Sequence, residues 1–280
     1  MKDAAKIGVM IFARNEETIL PKTLTALMSQ ELKPDKIILI NDGSSDKTHD
    51  IAVDFGCIVI DLEDDSKLGM GGPKMTKLHE IALSRFDESF EYILQLDADH
   101  IIPSNYLSYL ISEMKDNSNL VIAGSLIDGK KSKEPMGSGR LVRYKFHKLV
   151  MRDREVKYGV DVYPIWKARQ LGYDFKVFNV DTNLQRKQGF GYKKSNFITV
   201  GETYKSLGYH PIVAFYMFFQ SAVHLNNIKV FFWQLKGYLK NNIEFYDEDL
   251  RKFVRTTQST LIKNKIMKFT RSNKTKKKLD

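Results

Sequence analysis

Lys36-Ile37-Ile38-Leu39-Ile40 runs without a break into Asn41-Asp42-Gly43-Ser44-Ser45-Asp46-Lys47-Thr48. The apolar residues behind Lys36 leave no polar face, the pattern of a strand covered on both sides. Asn41 to Asp46 are turn formers, and they predict a helix opening at Lys47 with Ser45 or Asp46 as its cap. A buried strand that ends in a polar turn and feeds a helix is the repeating piece of a parallel α/β sheet.

The neighbouring sequence repeats the pattern. Ile7 to Ala13 is a second continuous apolar run, and Thr18 to Met28 sets Ile19, Thr23, Leu24, Leu27 and Met28 on one helical face. Cys57 to Ile60, Tyr92 to Leu96 and Val121 to Ala123 read as further strands, with Pro73 to Leu83 as a helix carrying Pro in its first turn. The expected fold class is α/β, with a mostly parallel sheet and helices on both faces. Beyond residue 126 the signals change. Gly129 to Gly139 reads as a mobile loop, 140–170 as helical with a break near Tyr158-Gly159, and Phe175 to Phe178 as a short strand. Val180 to Ser195 reads as a second flexible loop, and the chain from Asn196 as helical and aromatic.

Composition supports a folded chain. The 280 residues are 42% apolar and 28% charged, and the single cysteine, Cys57, lies in an apolar run as a small core residue. Met1 to Lys6 lacks the apolar stretch of a secretory signal, and no run reaches the ~18 apolar residues of a membrane-spanning helix. The expectation is a cytoplasmic protein, with peripheral attachment to the inner face of the membrane as an added reading. The net charge is +10, and eight Lys and Arg with no acid lie between Lys263 and Leu279. That tail is either a solvated helix end or a segment drawn to anionic lipid. Nucleic acid is the weakest reading, because no recognition motif accompanies the bases. Phe215, Tyr216, Phe218, Phe219, Phe231, Phe232 and Trp233 either pack as a helical core or meet a membrane interface.

In an open parallel sheet, ligands bind beyond the carboxyl ends of the strands. The first strand ends in Ala13-Arg14-Asn15-Glu16-Glu17, the second in Asn41-Asp42-Gly43, and the fourth in Asp97-Ala98-Asp99-His100. No G-x-G-x-x-G, P-loop or G-x-S-x-G elbow is present. Asp97 and Asp99 alternate, so an extended backbone aims both carboxylates one way. Their mutual repulsion is relieved by a divalent oxygen-seeking cation, or by solvation in a turn where one Asp caps the next helix. Asp42 is either a turn residue or a buried acceptor for a nucleobase.

Taken together, the three strand ends resemble the family-2 glycosyltransferases, inverting enzymes of the GT-A fold. Ala13-Arg14-Asn15-Glu16 is similar to their A-x-N-E motif, Asn41 to Thr48 to D-D-G-S-x-D-x-T, and Leu96 to Asp99 to L-D-x-D. The resemblance is specific over 7–125 and weaker beyond. It implies a catalytic domain over 1–195, with a nucleotide-sugar half (1–125) and an acceptor half (126–195). A helical aromatic extension (196–270) and a basic tail (271–280) would follow. It implies that Ala13, Arg14, Glu16, Asp42, Lys74, Asp97, Ala98 and Asp99 hold a nucleotide-diphosphate sugar, with Mg²⁺ or Mn²⁺ on Asp97 and Asp99. Asp161, ahead of Trp166 to Tyr173, matches the family's catalytic acid position, although Val160 stands where relatives carry a second acid. Asp161 would take the proton of a hydroxyl on a carbohydrate or lipid-linked acceptor, with a helix N-cap as its other reading. Lys74 is a phosphate ligand or a solvated helix-start lysine. Leu184-Gln185-Arg186 lacks the histidine of many relatives, which leaves the third metal ligand open; His100 and His210 are available but read more readily as structural. Tyr204 to Pro211 and Gly237-Tyr238-Leu239 point to a polysaccharide-synthesis subgroup. Two alternatives stand beside a transferase: a sugar-nucleotide nucleotidyltransferase, whose G-x-G-x-R signature is missing, and a non-catalytic nucleotide-sugar or membrane-binding module.

Overall fold

The computed structural model describes residues 5–63, 73–129, 132–152, 159–185 and 194–260. The chain divides into two compact units, one of Met1–Arg154 with Val160–Gly191, the other of Glu155–Gly159 with Tyr192–Asp280.

The first unit begins with alternating strands and helices: β1 (Lys6–Ala13), α1 (Leu20–Met28), β2 (Lys36–Asp42), α2 (Thr48–Asp54), β3 (Ile58–Leu62), α3 (Pro73–Leu83) and β4 (Phe90–Asp97). It continues through β5 (His100–Ile101), α4 (Tyr106–Asp116), β6 (Leu120–Ile127), β7 (Arg140–Arg143), α5 (Tyr144–Arg152), α6 (Tyr163–Gln170) and β8 (Asp174–Leu184). The strand order is β3-β2-β1-β4-β7-β6-β8-β5. Strands β3, β2, β1 and β4 are parallel, β6 and β8 are parallel, and β7 runs antiparallel between β4 and β6. Chain order reverses between β1 and β4, which makes their carboxyl ends the switch point where such sheets hold ligands.

The apolar runs divide between two faces, as the strand period requires. Ile7, Val9 and Ile11 pack with Leu20, Leu24 and Leu27 of α1 and Leu107, Leu110 and Met114 of α4. Met10 and Phe12 pack with Leu78 and Ala82 of α3. Cys57 is buried, and burial pushes its thiol up to about 11.

Several expectations need correction. The stretch 140–170 opens with a strand, because Arg140–Arg143 pairs on both sides within the sheet. The end of the 129–139 loop is tied down, since Gly139 N–H donates to Gln95 O at 2.8 Å. Strand β8 extends to Leu184, so the first part of the expected loop at 180–195 is sheet; 186–193 lie outside the described residues, as do Tyr158 and the basic tail from 261. The helix after β2 starts at Thr48 with Lys47, not Ser45 or Asp46, at its N-cap and no side-chain cap bond; Asp46, one residue earlier, accepts from Thr48 N–H at 3.0 Å.

The second unit holds α7 (Lys194–Ser206), α8 (Pro211–His224), α9 (Ile228–Leu239) and α10 (248–260). Helices α7 and α9 cross at two glycines. A methyl on Gly201 would fall 1.9 Å from Gln234 O, and one on Gly237 would fall 1.9 Å from Ile198 O.

Gly8 of β1 is equally crowded: a methyl there would lie 2.3 Å from the Phe86 ring and 2.8 Å from Ile93. Gly8→Ala is therefore expected to cost about 1–3 kcal/mol of stability, read by urea denaturation, with strand content unchanged by circular dichroism.

Candidate functional site

The loops after β1 and β2 are sewn together. Asn15, at φ 54°, donates its N–H to Ser44 Oγ (2.9 Å) and accepts from Ser45 N–H through Oδ1 (2.8 Å). Glu16 N–H donates to Thr48 Oγ1 at 2.7 Å, and Glu17 N–H to Asp46 Oδ2 at 3.1 Å. Asn15, Ser44, Ser45, Asp46 and Thr48 thus act on one another and fix the rim. Ala13 and Glu16 are buried there, and Arg14 is partly open.

Asp42 ends β2 with its carboxylate 2% exposed. Lys74 Nζ lies 2.7 Å from Oδ2 and Arg14 Nη1 lies 3.7 Å from it. Lys74 is therefore neither a solvated lysine nor remote from the rim; it leaves the first turn of α3 and pairs with Asp42. Oδ1 is buried and has no hydrogen-bond partner among the described residues. A buried acceptor in that state costs free energy until a donor reaches it.

Across the switch point, Asp97 closes β4 and its N–H donates to Ser138 Oγ at 2.8 Å. Its carboxylate is open to solvent yet hemmed in by protein. Desolvation, then the charges of Asp161 and Asp99, push its pKa up to about 7. Three carboxylates therefore share one field. Ala98 turns its methyl into the core and gives its carbonyl to Thr23 Oγ1 at 2.7 Å. Asp99 O accepts from Gln185 N–H at 2.9 Å.

Asp161 stands ahead of α6. The N-cap of that helix is Val162, with no side-chain cap bond, so Asp161 is not a cap. Its carboxylate is 58% exposed and is steadied from behind by Arg140. Both terminal nitrogens of Arg140 donate to Asp161 O at 3.1 Å, Nη2 lies 3.4 Å from Oδ1, and Nε donates to Met136 O at 2.9 Å. Arg140 is buried; burial pulls its pKa down while Asp161 and Asp97 hold it up. A methyl on Gly137 would lie 2.5 Å from Asp161 Oδ1, so the close approach of this loop needs glycine.

His100 is structural. Nδ1 lies 2.7 Å from Ser138 Oγ, Nε2 lies 2.7 Å from Thr182 Oγ1, and burial brings its pKa down to about 4. His210 caps α8 through Nδ1, which accepts from Ile212 N–H. Among the described residues no three His, Cys, Asp or Glu side chains gather as a metal cluster. The oxygen pair Asp97 and Asp99 fits a hard cation that takes its other oxygens from phosphate and water.

Sequence reasoning missed Arg140, Ser138 and the Asp42–Lys74 pair. Arg140-Leu141-Val142-Arg143 shows no alternation, so no sequence signal singles out Arg140.

Comparison with known proteins bears on the family and the fold. The model of glycosyl transferase family 2 matches residues 8–167. The poly-beta-1,6-N-acetyl-D-glucosamine synthase of Staphylococcus epidermidis is 33% identical over 118 residues, 41% of this chain and 26% of that protein. The probable glycosyltransferase YdaM of Bacillus subtilis is 42% identical over 57 residues, 20% of this chain and 14% of that one. The chain thus spans about a quarter or less of the length of these curated relatives. Among solved structures, S. aureus TarS superposes with a TM-score of 0.53 at 16% identity, covering 74% of this chain and 40% of that one. The glucosyl-3-phosphoglycerate synthase of Mycobacterium tuberculosis, in complex with Mn²⁺ and UDP-glucose, gives 0.53 at 15% identity over 70% of this chain and 75% of that one. The fold is GT-A, and the chain belongs to glycosyl transferase family 2.

Proposed function

We propose that this chain is an inverting glycosyltransferase that moves a sugar from a nucleotide diphosphate to a hydroxyl, in polysaccharide or glycolipid synthesis. One observation carries the reading. An exposed carboxylate, Asp161, is held from behind by a buried arginine and shares a field with Asp97 and Asp99 at the switch point. The Mycobacterium synthase in complex with Mn²⁺ and UDP-glucose, and the poly-N-acetylglucosamine synthase, support the donor class and the polymer-forming product.

The nucleoside would rest on the rim of Ala13, Arg14 and Glu16. Asp42 Oδ1 would accept a base N–H and so satisfy its missing partner. Lys74, already paired with Asp42, would fix the orientation of that acceptor. Asp97 and Asp99 would hold Mg²⁺ or Mn²⁺, which when bound neutralises charge on the leaving diphosphate. Asp161 would accept the proton of the attacking hydroxyl on the face opposite the diphosphate, so the anomeric centre inverts. Arg140 would position Asp161 by gripping its main-chain carbonyl and would stabilise its carboxylate.

Asp161→Asn is expected to lower the rate of sugar transfer by roughly 10²–10⁴-fold while UDP binding, measured by calorimetry, is kept. Loss of UDP affinity with turnover intact would contradict the assigned role. Arg140→Lys keeps the charge and loses the fork on Asp161 O. It should lower kcat by about tenfold or more with the donor KM nearly unchanged.

Asp97 supplies a pH test. Its pKa of about 7 lies above the ordinary 3.8, so its proton stabilises the metal-free fold fully below pH 3.8 and that stability is lost as pH rises through 7. At pH 8 Asp97→Asn should therefore raise the melting temperature of metal-free protein while weakening Mn²⁺ binding. Below pH 7 the cation must displace that proton, so Mn²⁺ affinity of the unaltered chain, read by electron paramagnetic resonance, should rise from pH 6 to pH 8. A flat profile would contradict the shared field.

A further inference from the structure

The helical unit carries an exposed apolar surface on α8 and α9. On α8, Ile212, Phe215, Tyr216, Phe219 and Val223 are all exposed, Ile212 at 67% and Val223 at 63%. Their spacing places them on one stripe of the helix. On α9, Ile228, Phe232 and Leu239 are each about 60% exposed and form a second stripe. The Phe231 ring lies 6.2 Å from Phe215 and 5.4 Å from Phe232, joining the two stripes through aromatic contact. Core packing accounts for Phe218, which is fully buried, and for Ala214 and Ala222, but not for these stripes.

The charge around the stripes is one-sided. Pro211 to Ile243 contains no Asp or Glu, in a chain with 34 acids among 280 residues. Lys229 and Lys236 fall along one flank of the α9 stripe and are exposed, whereas Lys240, at the C-cap, is paired with Glu202 at 2.6 Å. An apolar aromatic face edged by lysines suits the boundary of a bilayer, with rings among the acyl chains and ammonium groups at the head groups. A second copy of the chain is disfavoured, since an isologous contact sets the same lysines against one another. The basic stretch from Lys263 to Leu279 would be repelled from the face by the same charges. Among the described residues no helix is long and apolar enough to cross a membrane, so contact would be with one leaflet.

We propose that the exposed face of α8 and α9 docks on an anionic membrane surface, with Phe215, Phe219 and Phe232 entering the interface and Lys229 and Lys236 meeting the head groups. The proposal stands apart from the transferase reading, because vesicle binding needs neither donor nor turnover.

The test is sedimentation of the full chain with vesicles of phosphatidylcholine plus phosphatidylglycerol, and with vesicles of phosphatidylcholine alone. The chain should sediment with the anionic vesicles and much less with the neutral ones. Phe219→Glu with Phe232→Glu alters only exposed side chains, and circular dichroism should show the fold intact. Binding should fall by about a hundredfold or more, as the loss of two interfacial phenylalanines implies. Lys229→Gln with Lys236→Gln should weaken binding to anionic vesicles by about fivefold per lysine and leave the weak neutral binding unchanged. Removal of 261–280 should leave the effect of the phenylalanine pair in place. The proposal is overturned if the phenylalanine variant sediments like the unaltered chain, or if removal of 261–280 alone abolishes binding. It is also overturned if light scattering shows a dimer that this variant dissociates, since the face would then belong to a second copy.

Discussion

Arg140 carries a permanent charge into an almost dry place beside the switch point. Taking such a charge out of water costs several kcal/mol unless its donors are met and opposite charge is near. Here Nε is met by Met136 O, the terminal nitrogens by Asp161 O, and the charge by the carboxylates of Asp161 and Asp97. The dependence is mutual. Without Arg140 the segment ahead of α6 loses its anchor, and Asp97 faces two carboxylates with less compensation. The same charge acts behind the sheet. Burial first, and Arg140 second, bring His147 down to about 3, so it sits neutral beside Gln95, 3.2 Å from its side-chain nitrogen.

The opposite side of the site obeys a related constraint. Most of the polar residues in the two rim loops are occupied with one another: Asn15 with Ser44 and Ser45, Glu16 with Thr48, Glu17 with Asp46. What this sewing leaves out is small: Arg14, partly open and near Asp42, and Asp42 Oδ1, which has no hydrogen-bond partner among the described residues. A dense polar motif can therefore hold few ligand contacts and still be needed in full, because the rest of it keeps those few in place.

The parallel part of the sheet could be read from the chain because strands buried on both faces are written as unbroken apolar runs, as in Ile7 to Ala13 and Ile37 to Ile40. The polar strand ends could be read for the same reason, since burial stops abruptly at Arg14 and Gly43. Strand β7 could not. Four residues with arginine at both ends give no period, and its burial comes from neighbours far along the chain. Strand β8 was underread because its burial alternates only weakly, with Val180 and Asp181 reading as loop. Asp161 was found by its place in a family motif, whereas Arg140, which fixes it, belongs to no run of sequence that contains it.

The antiparallel insertion of β7 bears on how the chain reaches its native state. Contacts distant in sequence form late, because the loop they close must be ordered first. Strand β7 can add its hydrogen bonds only when β4, some fifty residues earlier, and β6 are both available as edges. Its insertion also brings Arg140 to Asp161. Completion of the sheet and anchoring of Asp161 are thus a single late event, so a nascent chain with its first parallel strands already formed still lacks a positioned Asp161, the base of the proposed reaction.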